Sequence, residues 1–191
     1  MELGDRLTAI AESRAALVVA GVWGFAEATV FFIVPDVWVG FVAAFAPRRA
    51  LPALVAVCVG AALGATLLYL VAPALPWLAD VFVALPGIDA SHLVKAEAAL
   101  SDQGLAAFLS GIVAGDPVKL ATRAAALAGT PLLAVLSMVV LNRIIRVGVT
   151  ALIFGLIGVT FRAPIHRHAG IALALYTGFF VVLYLVYWSI R

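Results

Sequence analysis

Residues 15–46 read AALVVAGVWGFAEATVFFIVPDVWVGFVAAFA. Everything else about the fold follows from how this stretch is divided. A helix needs about 20 apolar residues to cross the hydrocarbon core of a bilayer. Residues 15–34 are long enough to cross once. Residues 37–46 are too short to cross back, and Arg48 and Arg49 then end the run. Two full spans do not fit, whereas one span plus a half, or a re-entrant helical hairpin bent near Pro35, does. Proline removes a backbone donor and breaks the helix there. Backbone broken at membrane depth is tolerated only inside protein or beside a wet cavity.

The rest of the chain supports a membrane setting. Of 191 residues, 65% are hydrophobic and 12% charged, against about a quarter charged in an ordinary soluble domain. Mean hydropathy is +1.18. The composition excludes a cytosolic enzyme, a secreted disulfide scaffold and a disordered tail. A net charge of +2 is too small and scattered for a nucleic-acid footprint. The single cysteine, Cys58, permits no internal disulfide.

Reading outward from the hairpin, residues 1–14 suggest an interfacial amphipathic helix, with Leu3, Leu7 and Ile10 at helical spacing among charges, rather than a signal peptide. Residues 51–72 form a clean span carrying Gly60-x-x-x-Gly64, a spacing that lets another helix approach closely. A polar loop is expected over 73–104. Residues 105–129 repeat the irregularity of 15–46, with Gly115, Asp116 and Pro117 at the bend. Spans over 131–160 and 169–190 complete a single membrane domain, and Tyr184, Tyr187 and Trp188 read as an interfacial aromatic belt. The expected fold class is an all-α integral membrane protein. It is an inverted repeat of two re-entrant helical hairpins plus about three transmembrane helices, with an N-terminal amphipathic helix. Broken helices in corresponding halves are a mark of transporters. If both hairpins re-enter, Arg6, Arg14, Arg48, Arg49, Arg162 and Arg167 share one side, leaving Lys95 and Arg191 on the other. That bias makes the first side cytoplasmic.

Charges at membrane depth are the main functional signal, since each costs a few kcal/mol even on the mildest scale. Glu27 is a candidate proton carrier or a structural partner for an arginine. Asp36, after Pro35, is a helix cap, a proton gate or both. Asp116 reads as the N-cap of the returning half-helix or as a third titrating acid. Lys119 and Arg123, four apart, share a cationic face near a helix start, suited to a phosphate headgroup or to pairing with Glu27 or Asp36. Arg143 and Arg146, three apart in the middle of a long span, offer planar forks to phosphate or carboxylate. His166 and His168 read as surface residues. No metal-ligand spacing, phosphate-binding loop or paired nucleophile is present, so neither a cofactor nor catalysis is expected.

These residues resemble a known family. Phe25-Ala26-Glu27 followed by Pro35-Asp36 is similar to the first signature of the DedA family, also called VTT-domain or SNARE-associated membrane proteins. Gly60-x-x-x-Gly64 with Tyr69 is similar to the family's glycine-rich helix. Gly115-Asp116-Pro117 resembles its second hairpin tip, and Asn142-Arg143-Ile144-Ile145-Arg146 the later basic helix of the YqaA-like subgroup. Many members carry an arginine before the second tip, where residues 109–114 have none. The resemblance implies facing hairpins in a bacterial inner membrane and movement of an anionic lipid, a phospholipid or polyprenyl phosphate, with protons as a candidate coupling ion. On that reading Glu27, Asp36 and Asp116 handle protons or a gate, and Lys119, Arg123, Arg143 and Arg146 bind the anionic substrate. Membrane lipids are then the partners, with a second copy of the chain as a further candidate. A small-solute or proton antiporter, and a non-transporting assembly or stress-response protein, remain the competing readings.

Overall fold

The computed structural model describes residues 2–189. Eleven α-helices make up the described chain, and no strand occurs among the described residues. Three helical segments are long and apolar enough to cross a membrane: Pro47–Val71, Leu132–Thr160 and Ala169–Ser189. They mark a membrane protein.

Helix α1 (Leu3–Glu12) meets α2 (Arg14–Thr29) at a 63° bend. Ser13 caps α2 by accepting from the Ala16 amide. In α1, Leu7 and Ala11 are buried, while Leu3 and Ile10 stay exposed. The expected apolar stripe is thus split between the protein and its surroundings. Helix α2 ends at Thr29, earlier than a 20-residue span over 15–34 would require. Residues 30–35 are non-helical, and α3 (Asp36–Phe45) then begins with Pro35 in the cap position. The break is therefore an unwound segment and not a bend confined to Pro35.

Helix α4 (Ala50–Val71) packs along α2. A Cβ on Gly60 would overlap the Gly21 carbonyl, and one on Gly64 would lie 2.6 Å from the Phe25 carbonyl. The small-residue pair thus holds α4 against α2, backbone to backbone. The stretch expected to be a polar loop contains α5 (Leu78–Val83) and α6 (Ala90–Gln103). Leu78, Phe82 and Ile88 are buried beneath it together with Leu68 and Leu120. The Asp89 side chain caps α6 through the Ser91 and His92 amides. Those hydrogen bonds, the Ser91 side chain's first among them, hold the Asp89 carboxyl down to about 2.

Helix α7 (Ala107–Ala114) stops at Gly115, whose φ of 75° is left-handed and favours glycine. Helix α8 (Val118–Leu127) starts after Pro117, which occupies its cap position in extended conformation. Helix α9 (Leu132–Thr160) leads through the short α10 (Arg162–Arg167), where a loop is expected, to α11 (Ala169–Ser189).

The two ends of each helix–break–helix segment lie near one another. Glu12, just before α2, lines a hollow with Arg48, just after α3, and with Arg162 and His166. At the far end of α4, the Tyr69 hydroxyl donates to the Thr130 carbonyl. There Gly104 and Leu105, before α7, line a hollow with Leu127 and Thr130, after α8. The ends of the first segment thus lie near the start of α4 and those of the second near its end.

Candidate functional site

The break in the first segment exposes backbone polar groups that need partners away from water. Side chains from elsewhere supply them. The Trp23 indole donates to the Ile33 carbonyl at 2.9 Å, and Lys119 Nζ donates to the Phe31 carbonyl at 2.5 Å. The Val34 amide donates to the Tyr184 hydroxyl at 2.8 Å. The Tyr176 hydroxyl donates to the Val37 carbonyl. At the second break, the Tyr187 hydroxyl donates to the Gly115 carbonyl at 3.2 Å. Tyr184 and Tyr187, which with Trp188 read as an interfacial belt, hold the two breaks, and the three wall the space between them.

That space is a hollow of about 200 Å³ where the two breaks meet. Phe32 and Val34 come from the first break, Gly115 and Pro117 from the second, and Glu27, Lys119 and Arg146 bring charge. Glu27 is nearly fully buried and paired with Arg143, itself without exposure. One turn on, Arg146 Nε lies 3.9 Å from Asp36 Oδ2, a loose pair. The Asp36 Oδ1 atom accepts from the Thr150 hydroxyl at 2.8 Å. The i, i+3 spacing of Arg143 and Arg146 thus lets one face of α9 grip both arms of the first segment.

The charges do not cancel. Among the residues that line the hollow, Lys119 and Arg146 stand against Glu27, a formal excess of one positive charge. Two donors beside this lining, Nε and Nη1 of Arg143, are buried without a hydrogen-bond partner. A buried donor left unmatched costs about 1–3 kcal/mol. The arrangement is therefore suited to receive an anion with acceptor oxygens.

Beyond Arg146 the hollow adjoins an apolar groove of about 650 Å³ between α3, α9 and α11. Val34, Arg146 and Leu183 line both spaces. Phe154, Phe161, Phe179 and Phe180 line most of the groove's length.

Two expected site residues are placed elsewhere. Arg123 faces α6, where it bonds the exposed Glu97 at 3.0 Å. It shares a helix with Lys119 but not the hollow. Asp116 lines a separate small cavity with Ser110 and Gly111. It is not the N-cap of α8, since Pro117 takes that position and no side chain caps the helix. Asp36, likewise, is the first residue of α3 rather than its cap. Among the described residues no group of three or more His, Cys, Asp and Glu could hold a metal.

Sequence reasoning missed Thr150, one helical turn after Arg146, and the tyrosine pair Tyr184 and Tyr187. Asn142, quoted in the basic-helix motif without a role, donates its Nδ2 to the Phe108 carbonyl at 2.7 Å and ties α9 to α7. Helical spacing pointed to Thr150, but nothing local showed that the tyrosines face inward.

Tyr184→Phe tests the brace on the first break. It leaves the Val34 amide without its partner, at an expected cost of about 1–3 kcal/mol. Thermal unfolding in detergent should show the loss. Tyr69→Phe, at the far end of α4, should leave accessibility of the 30–35 segment to thiol reagents unchanged, while Tyr184→Phe raises it. Equal accessibility in the two variants would count against the brace.

Comparison of the chain with protein-family models, with curated proteins and with solved structures finds no match.

Proposed function

We propose that the protein moves an anionic lipid between the leaflets of a membrane. One observation carries this reading: a hollow with an excess positive charge adjoins an apolar groove. That pairing of surfaces matches a molecule with a charged head and a hydrocarbon chain. A small solute would need only the hollow.

The two helix–break–helix segments are, on this reading, re-entrant hairpins in inverted orientation, as in the DedA family that the sequence resembles. The placement of their ends near the start and the end of α4, and the meeting of their breaks at one hollow, support that arrangement. A phosphate entering the hollow competes with Asp36 for Arg146, the looser of the two pairs. Glu27 keeps Arg143 oriented, and Lys119 joins the second hairpin to the carbonyl of the first tip. Protonation of Asp36 or Glu27 would free an arginine for the phosphate, which is how a proton gradient could drive the cycle.

The test is reconstitution into liposomes carrying fluorescent phosphatidylglycerol in both leaflets, followed by external dithionite. Without lipid movement about half the fluorescence resists the reductant. The native protein should bring it close to zero. Arg146→Gln should slow the second phase by about tenfold or more, since a hydrogen bond to a charged group contributes about 1.5–3 kcal/mol. Half-protected fluorescence with the native protein, together with proton flux driven by a soluble anion, would replace this reading with an antiporter. Native rates in Arg146→Gln would reject the site.

A further inference from the structure

The end of the molecule where α2 starts holds a second charged hollow, of about 290 Å³. It is lined by Glu12, Arg48, Arg162 and His166, with Phe45 and Pro47 beside them. Arg48 and Arg162 are exposed and form no salt bridge among the described residues. The His166 ring bonds the Thr8 hydroxyl at 3.3 Å. Two guanidinium groups against one carboxylate again leave a positive excess. The apolar groove begins here, since Ala44 and Phe45 line both this hollow and the groove. It then passes Phe161, Ile157 and Ile153 and reaches Thr150 and Arg146. From Phe161 back to Arg146 is about 22 Å at the rise of an α-helix, which sets Arg146 well inside a core of about 30 Å.

We infer that this rim is a loading site for an anionic phospholipid, with its phosphate between Arg48 and Arg162 and one acyl chain along the groove. The orientation is that of a lipid in its own leaflet: head at the water boundary, chain inward. Arginine forks suit phosphate oxygens, and the groove walls of aromatic and aliphatic side chains suit a hydrocarbon chain. Its polar inner end, at Thr150, Asp36 and Arg146, gives the head a next station. The same groove that holds the chain in the loaded state thus joins the rim to the inner hollow. The inference rests on the lipid-moving reading for its purpose, but the site can be tested without any transport.

The probe is phosphatidylglycerol bearing a photoactivated diazirine on one acyl chain, at trace level in phosphatidylcholine liposomes holding the native protein. Labelled positions are mapped by mass spectrometry. Labels should concentrate on Ile157, Phe161 and Ile165, which line the groove, over Leu152 and Leu156, which are exposed outside it. The choline-headed version of the probe should show no such preference. Near a membrane surface each basic residue is worth about fivefold in binding an anionic lipid, so Arg48→Ala and Arg162→Ala should each lower groove labelling about fivefold. Arg123→Gln, away from both rim and groove, should leave it in place. Equal labelling of groove and outer face, or equal labelling by both headgroups, would overturn the site. So would labelling lost in Arg146→Gln and kept in the rim variants, which would seat the head in the inner hollow. Rim-dependent labelling by a protein that moves no lipid would leave the site standing and defeat the transport reading instead.

Discussion

Arg143→Ala is expected to cost about 3–5 kcal/mol, because it strands Glu27 as a buried charge without its guanidinium. For a chain of this size that corresponds to a fall in unfolding temperature of roughly 6–20 °C, measurable by gel filtration after heating in detergent. Lys119 is close enough to feel the charge of Glu27, so the loss should sit toward the lower end. Glu27→Gln removes the countercharge from the other side and should also destabilise. The double variant Glu27→Leu with Arg143→Met separates stability from function. A well-packed apolar pair often replaces a buried ion pair at no cost. The double variant should therefore regain most of the lost stability while still failing to move lipid. If it moved lipid at the native rate, the pair would be packing only, and the non-transporting reading would gain.

Gly60→Ala should be the most damaging single-methyl change in the protein. The added Cβ would lie inside the Gly21 carbonyl, a backbone atom that no rotamer change can move aside. Overpacking a well-filled interior costs about 1–3 kcal/mol, and here α2 and α4 must separate along their length. Gly60→Leu should abolish assembled protein. Gly155 and Gly178 provide the contrast, because a Cβ at either meets nothing within 4 Å. Gly155→Ala and Gly178→Ala should express and unfold like the native chain. Gly60→Ala should also impair lipid movement more than its stability loss explains. Glu27 lies on α2 two residues beyond Phe25, whose backbone Gly64 touches, so a displaced α2 carries Glu27 away from Arg143. Parallel losses in all three glycine variants would show that the α2–α4 contact has no special role.

Much of this was legible in the chain. Residues 15–46 are too long for one span and too short for two, which already demanded a break with protected backbone. Glycine at positions 60 and 64 announced a close helix neighbour, though not which helix. Arg143 and Arg146 at one-turn spacing announced a shared face within a span. The same kind of reasoning failed for Arg123, since spacing along α8 sets its angle but not what lies opposite, and Glu97 on α6 proved to be there. It failed for Asp116, where proximity to a helix start suggested a cap that Pro117 occupies instead. Residues 73–104 read as a polar loop. Yet Leu78, Phe82 and Ile88 are enough to anchor the stretch on α4 and α8.

Hydropathy and periodicity act over a turn or a span, so the sequence alone determined a helical membrane protein, the positions of its breaks and the charges it had to bury. Which charges meet depends on contacts between residues more than a hundred positions apart, such as Glu27 with Arg143 and Asp36 with Thr150. Those pairings follow from how helices cross in three dimensions. The groove beside α11 and the inward turn of Tyr184 and Tyr187 arise in the same way, from packing that no local pattern encodes.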